Sequence, residues 1–175
     1  FVEKDKVFKL LCEATGRYKK HLQVSKGGKV ITKTRSRFKQ YFFRLAKELD
    51  VSPKSIVYGN MFAWDYNKKS PRIRPENEFE EITSISKKLL ASQIKHFQPD
   101  VVIFAAGFVG IDPIIKQLFN ENFSGYKNKE VVSGKYWEFE AGNATCFRIA
   151  HPRATHGHGE FRDKVIQRIK ARVAD

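Results

Sequence analysis

Cysteine is almost missing: Cys12 and Cys146 are the only two, far apart and without a Cys-x-x-Cys pair. Neither a disulfide framework nor a zinc ribbon can be built from them, and such sparse use of cysteine points to an intracellular protein. No stretch approaches the roughly 18–20 consecutive apolar residues of a membrane-spanning helix, and no secretory pattern opens the chain, so no membrane partner is expected. Acidic residues are scarce: 19 Asp and Glu stand against 33 Lys and Arg, for a formal net charge of +14. An excess of that size calls for a polyanionic partner. Nucleic acid is the first choice, because Lys and Arg contacts to phosphate carry most of the non-specific affinity of such proteins. Repeats, low-complexity tracts and linkers are also missing. The 175 residues therefore suggest one compact domain, long enough to bury a core without staples.

What is present reads as alternating helices and strands. Phe8, Leu11, Cys12, Tyr18 and Leu22 approximate helical spacing from Asp5 to about Gln23. Ser25 to Thr34, SKGGKVITKT, lacks the Gly-x4-Gly-Lys-Ser/Thr spacing of a phosphate-binding loop and reads as a basic turn. Arg35 to Asp50 places Phe38, Tyr41, Phe42, Leu45 and Leu49 on one helical stripe. Ser55 to Met61 reads as a buried strand. Glu76 to Phe97 predicts the longest helix, with Ile82, Ile85, Leu89, Ile94 and Phe97 inward. Val101 to Ala106 is apolar throughout, as a strand covered on both faces requires. Gly107-Phe108-Val109-Gly110 then reads as a tight turn, and Asp112-Pro113 as a cap followed by a helix to about Phe119. Three further strands are expected at Glu130–Val132, Tyr136–Glu140 and Ala144–Ala150, the last two joined as a hairpin through Ala141-Gly142-Asn143. A closing helix from about Glu160 to Arg172 turns Phe161, Val165, Ile166, Ile169 and Val173 inward.

Ligands of open α/β sheets bind outside the carboxyl ends of the strands, so polar residues that interrupt apolar strands there are candidates for a site. Asn60 and Asp65 close the strand-like run from Ser55, and His151 follows the run from Ala144. Phe62, Trp64 and Tyr66 alternate around Asp65, placed to wall a pocket for a flat ring or to join the core. After them come Lys68, Lys69, Arg72 and Arg74, in a loop stiffened by Pro71 and Pro75 and suited to holding a phosphate backbone.

The order of YGNMFAWDYNKKSPRIRP, a long helix, QPDVVIFAAG and HPRATHGHGEF, from about Ser55 to Lys170, resembles the uracil-DNA glycosylase superfamily. The resemblance implies a three-layer α/β/α domain with a central, mostly parallel sheet. It implies a monomer that flips a base out of DNA and hydrolyses its glycosidic bond, with neither metal nor organic cofactor. Asn60 then matches the amide that hydrogen-bonds the edge of the flipped base. His151 matches the ring that donates to the base oxygen as negative charge builds there. Asp65 is the candidate to position water or to stabilise the cationic sugar, on chemical grounds alone. Arg153 and His156 fall where the superfamily carries the loop that enters the duplex. Here the usual small-residue run is replaced by a basic, histidine-rich one, which suits phosphate contact better than wedging. The superfamily's first motif, with its water-activating residue, finds no counterpart before Asp5. Two cysteines exclude the four-cysteine iron-sulfur branch. The excised base is expected to be of the uracil type or a bulky modified cytosine.

Two other readings remain open. His151, His156 and His158, with Glu160 or Asp163, have the residue types of a zinc or nuclease metal site. A DNA-binding module without catalysis follows if the first motif is truly lacking.

Overall fold

The computed structural model describes residues 22–63, 70–154 and 156–174. The helix expected between Asp5 and Gln23 lies almost wholly outside them. The chain divides into two compact units, Phe1–Gly59 and Asn60–Asp175, where the length suggests one.

In the first unit, Val24 bridges Val30 across a turn whose Gly28 takes φ +79°. Its side chains are largely exposed, as a basic turn requires. Helix α1, Arg37–Glu48, begins at Ser36, whose hydroxyl accepts from the backbone N–H of Lys39. This cap satisfies one of the amides that a helix start leaves without a partner. Tyr41, Phe42, Leu45 and Ala46 are buried along its apolar stripe, and Phe38 packs on Tyr58 with ring centroids 4.9 Å apart. The strand expected at Ser55–Met61 does not form. Pro53–Ser55 is a 3-10 turn, the residues after it run on without a ladder, and Val57 is 51% exposed. A strand needs a neighbour to take up its amides and carbonyls, and among the described residues none lies beside this one.

In the second unit, four strands make an open sheet in the order β1-β4-β3-β2: β1 Val101–Phe104, β2 Lys127–Val132, β3 Tyr136–Ala141 and β4 Ala144–Ile149. The β1–β4 pair is parallel, whereas β4–β3 and β3–β2 are antiparallel. The sheet is therefore mixed, not mostly parallel as expected. Its connections explain the difference, since Gly142-Asn143 and Ser133–Lys135 are too short to join anything but antiparallel neighbours.

Among the described residues three α-helices accompany the sheet: α2 Glu76–Phe97, α3 Asp112–Asn122 and α4 Gly159–Ala174. Trp137, Phe139 and Ala141 of β3 share a core with Ile115, Leu118 and Phe119 of α3. Strand alternation turns Tyr136 and Glu138 to the opposite face, where Tyr136 stacks on Phe161 of α4 and Glu138 takes the Arg168 guanidinium.

Helix α2 is rotated from its expected pose. Ile85, Leu89 and Phe97 are exposed, and Thr83, Ser86, Lys87 and Ala91 are buried. Polar partners explain the rotation. Lys87 reaches Glu121 and Gln117 on α3, and the Ser86 hydroxyl accepts from the backbone N–H of Ala63 while donating to the carbonyl of Ile82.

Candidate functional site

Strand registry brings three loops to one end of the sheet. Phe104 lies opposite Arg148 where β1 and β4 end together, and Tyr136 at the start of β3 lies opposite Ile149. Loop 105–111, turn 133–135 and loop 150–158 therefore meet. The Gly107 N–H donates to the carbonyl of Ile149, the Phe108 ring lies over Gly134, and its centroid is 6.5 Å from that of His158. From turn 133–135, the Lys135 ammonium extends to Gly157. Gly107 and Gly110 take φ +90° and +64°, a backbone region closed to most side chains and needed for so tight a return into α3.

His151 is the second residue beyond β4 and is half-buried. Its Nδ1 accepts the backbone N–H of Arg153 at 3.1 Å, and its carbonyl accepts from Ala154 at 2.7 Å, closing the turn. An accepting Nδ1 leaves the ring proton of neutral His151 on Nε2, as a donor. Burial, and then the charge of Arg153, lower the pKa of this ring from the ordinary 6.5. An NMR titration of the ring is expected to give a midpoint below 6.5; a midpoint at or above it contradicts this environment. The unfolded chain then binds more protons than the folded one between the two values. This contribution to stability is complete above pH 6.5 and is lost as pH falls through the lowered pKa.

Beneath the loops lies an ion pair that the sequence analysis missed. Arg148, in the interior of β4, is only 1% exposed and meets Asp112 in the first turn of α3. Its Nη2 donates to Oδ2 at 2.8 Å, and its Nε approaches Oδ1 at 2.7 Å as a charge contact without hydrogen-bond alignment. Asp112 is thus not the helix cap expected from the Asp-Pro pair. Ile111 occupies that position, and the carboxylate is committed to Arg148. The available signal was a lone charged residue inside a mainly apolar run of strand. Phe108 was also passed over, although two apolar residues between glycines after a buried strand are a usable sign of an exposed tip.

Other predicted residues scatter. Arg72 is drawn to the loops: its Nη1 donates to the carbonyl of Val109 and its guanidinium fills the space at Gly110. Arg153 and His156 are exposed on loop 150–158, and Arg162 holds that loop to α4 through the carbonyl of Ala154. Arg74 pairs with Glu78 in the first turn of α2. Phe62 packs against Phe79 and the β3–α3 core, the structural rather than the pocket role. Asn60 is exposed where the second unit begins. Trp64, Asp65, Tyr66, Lys68 and Lys69 lie outside the described residues. An open cleft of about 380 Å³ lies behind Gly110 between α2 and α3, lined by Thr83, Lys87 and Gln117 among others. None of the predicted site residues among those described lines it.

Among the described residues no group of three His, Cys, Asp or Glu is arranged to hold a metal ion, so the histidine-cluster alternative gains no support. Nor does any helix there have the length and apolarity to cross a membrane. The class these features define is a mixed α/β protein with three loops, two of them bearing a cation in Lys135 and Arg153, gathered at one end of its sheet. Comparison with protein-family models, curated proteins and solved structures finds no match.

Proposed function

We propose that the chain is a monofunctional DNA glycosylase, a divergent three-layer relative of the uracil-DNA glycosylases that acts as a monomer on DNA. The observation that carries this reading is the half-buried ring of His151 just beyond the carboxyl end of β4, whose Nδ1 accepts the Arg153 N–H and so leaves Nε2 as the donor of the neutral ring that burial favours. Hydrolysis of a glycosidic bond leaves negative charge on the departing base, and a fixed donor lowers the barrier only where that charge develops. Arg72, Lys135 and Arg153 surround the same loops and suit phosphate contacts on either side of an extruded nucleotide. Asn60 reads the base edge in this account, and Asp65 serves the cationic sugar or its attacking water. Neither metal nor organic cofactor is called for.

The test is incubation with duplexes that carry uracil, hypoxanthine or a bulky modified cytosine, followed by alkali. Excision leaves an abasic site and therefore a cut strand. A DNA-binding module without catalysis is the second reading, favoured by the absence of a strand at Ser55–Met61 to aim Asn60. Salt-sensitive binding with every strand intact across that panel is its expected mark.

A further inference from the structure

We propose that Phe108 and Val109, at the tip of loop 105–111, enter the DNA base stack and take the place of the extruded nucleotide. The proposal rests on the DNA-binding part of the reading above and not on base excision. Phe108 is 38% exposed and Val109 63%, adjacent apolar residues at a loop tip where solvated side chains are the rule. The tip is braced from three sides. Gly107 N–H holds the carbonyl of Ile149, Ile111 N–H holds that of Phe108, and Arg72 holds that of Val109.

Gly134 gives the Phe108 ring its seat, with ring carbons 3.7–3.9 Å from where a Cβ would stand. Arg72 reaches the tip itself, while Lys135, on the turn where the Phe108 ring sits, and Arg153, exposed on loop 150–158, add positive charge at the same end of the sheet. A rigid apolar point inside a cationic rim is poorly matched to another acidic surface. It is well matched to a duplex, whose phosphates meet the rim while the bases accept an apolar wedge between them.

The experiment uses the full chain and two duplexes of one sequence, one intact and one carrying a tetrahydrofuran abasic analogue in place of a nucleotide. Neither carries a candidate substrate base, and the tetrahydrofuran position has no glycosidic bond, so the readout is independent of glycosylase activity. In F108W the new indole fluorescence, taken above the wild-type background, is expected to be quenched on binding the gapped duplex. F108S is expected to lose about tenfold in affinity for the gapped duplex, the size of one lost stacking contact, and V109S a smaller but measurable amount from lost apolar contact, while binding to the intact duplex is kept in both. Unquenched F108W at saturation, or equal losses on both duplexes, overturns the wedge. V109S, at the more exposed position, decides the matter if F108S folds poorly. Quenching without excision of any base keeps the wedge and removes the glycosylase; excision without quenching does the reverse.

Discussion

Replacing His151 with Ala is expected to lower single-turnover excision by about 10²–10³-fold, the usual consequence of removing one preorganised donor from a developing oxyanion. DNA affinity should change little, because the ring contributes to the transition state and phosphate contacts carry the ground state. The depressed pKa of His151 is central to this expectation. A neutral donor shares its proton without a net charge that would hold the base in place, and burial, with Arg153 nearby, favours the neutral ring. Excision should accordingly be undiminished at neutral pH and fall only as the pH drops below 6.5 into the range where the ring protonates. Substitution with Gln, which also carries a terminal N–H, should recover part of the loss. Equal loss of affinity and turnover in His151→Ala would remove the ring from this role and leave it as a turn residue bonded to Arg153.

The second large effect concerns stability. Asp112→Ala is expected to destabilise the second unit by about 3–5 kcal/mol, read as a shift of the denaturant midpoint, because it leaves a buried guanidinium with no counter-charge. Arg148→Met should cost less, although it removes the larger side chain. Asp112 is 30% exposed and Arg148 only 1%, so the stranded carboxylate keeps water and the positive end of α3, whereas the stranded guanidinium keeps neither. Arg148 already carries one buried Nη1 without a partner, which leaves it little compensation to spare. The double replacement Asp112→Leu with Arg148→Met should recover most of the loss. A larger loss in Arg148→Met than in Asp112→Ala would overturn the argument from burial.

These expectations draw on different sources. His151 was legible from its sequence position, because it follows a strongly apolar run that the structure forms as β4. Helices α1, α3 and α4 were legible for a similar reason, since their apolar spacing and, for α3, the early Pro113 act within a few residues of chain. The hairpin at Gly142-Asn143 belongs with them.

The buried face of α2 was not legible. Ile85 and Leu89 satisfy helical periodicity as well as Ile82 and Ile94 do, and only contacts with Glu121, Gln117 and Ala63 choose between the two faces. The run from Ser55 to Met61 has strand composition but, among the described residues, no neighbour to pair with, and composition does not supply one.

By itself, then, the sequence determined the basic charge, most helices, the hairpin and the place of His151, because each depends on residues near one another in the chain or on totals. Tertiary structure alone decided the mixed strand order, the joining of Asp112 to Arg148 across 36 positions, and the meeting of Phe108, Lys135 and His151 at one sheet end. Those depend on pairings between distant segments, which many sequences with the same local periodicities leave open and which only the packed chain selects.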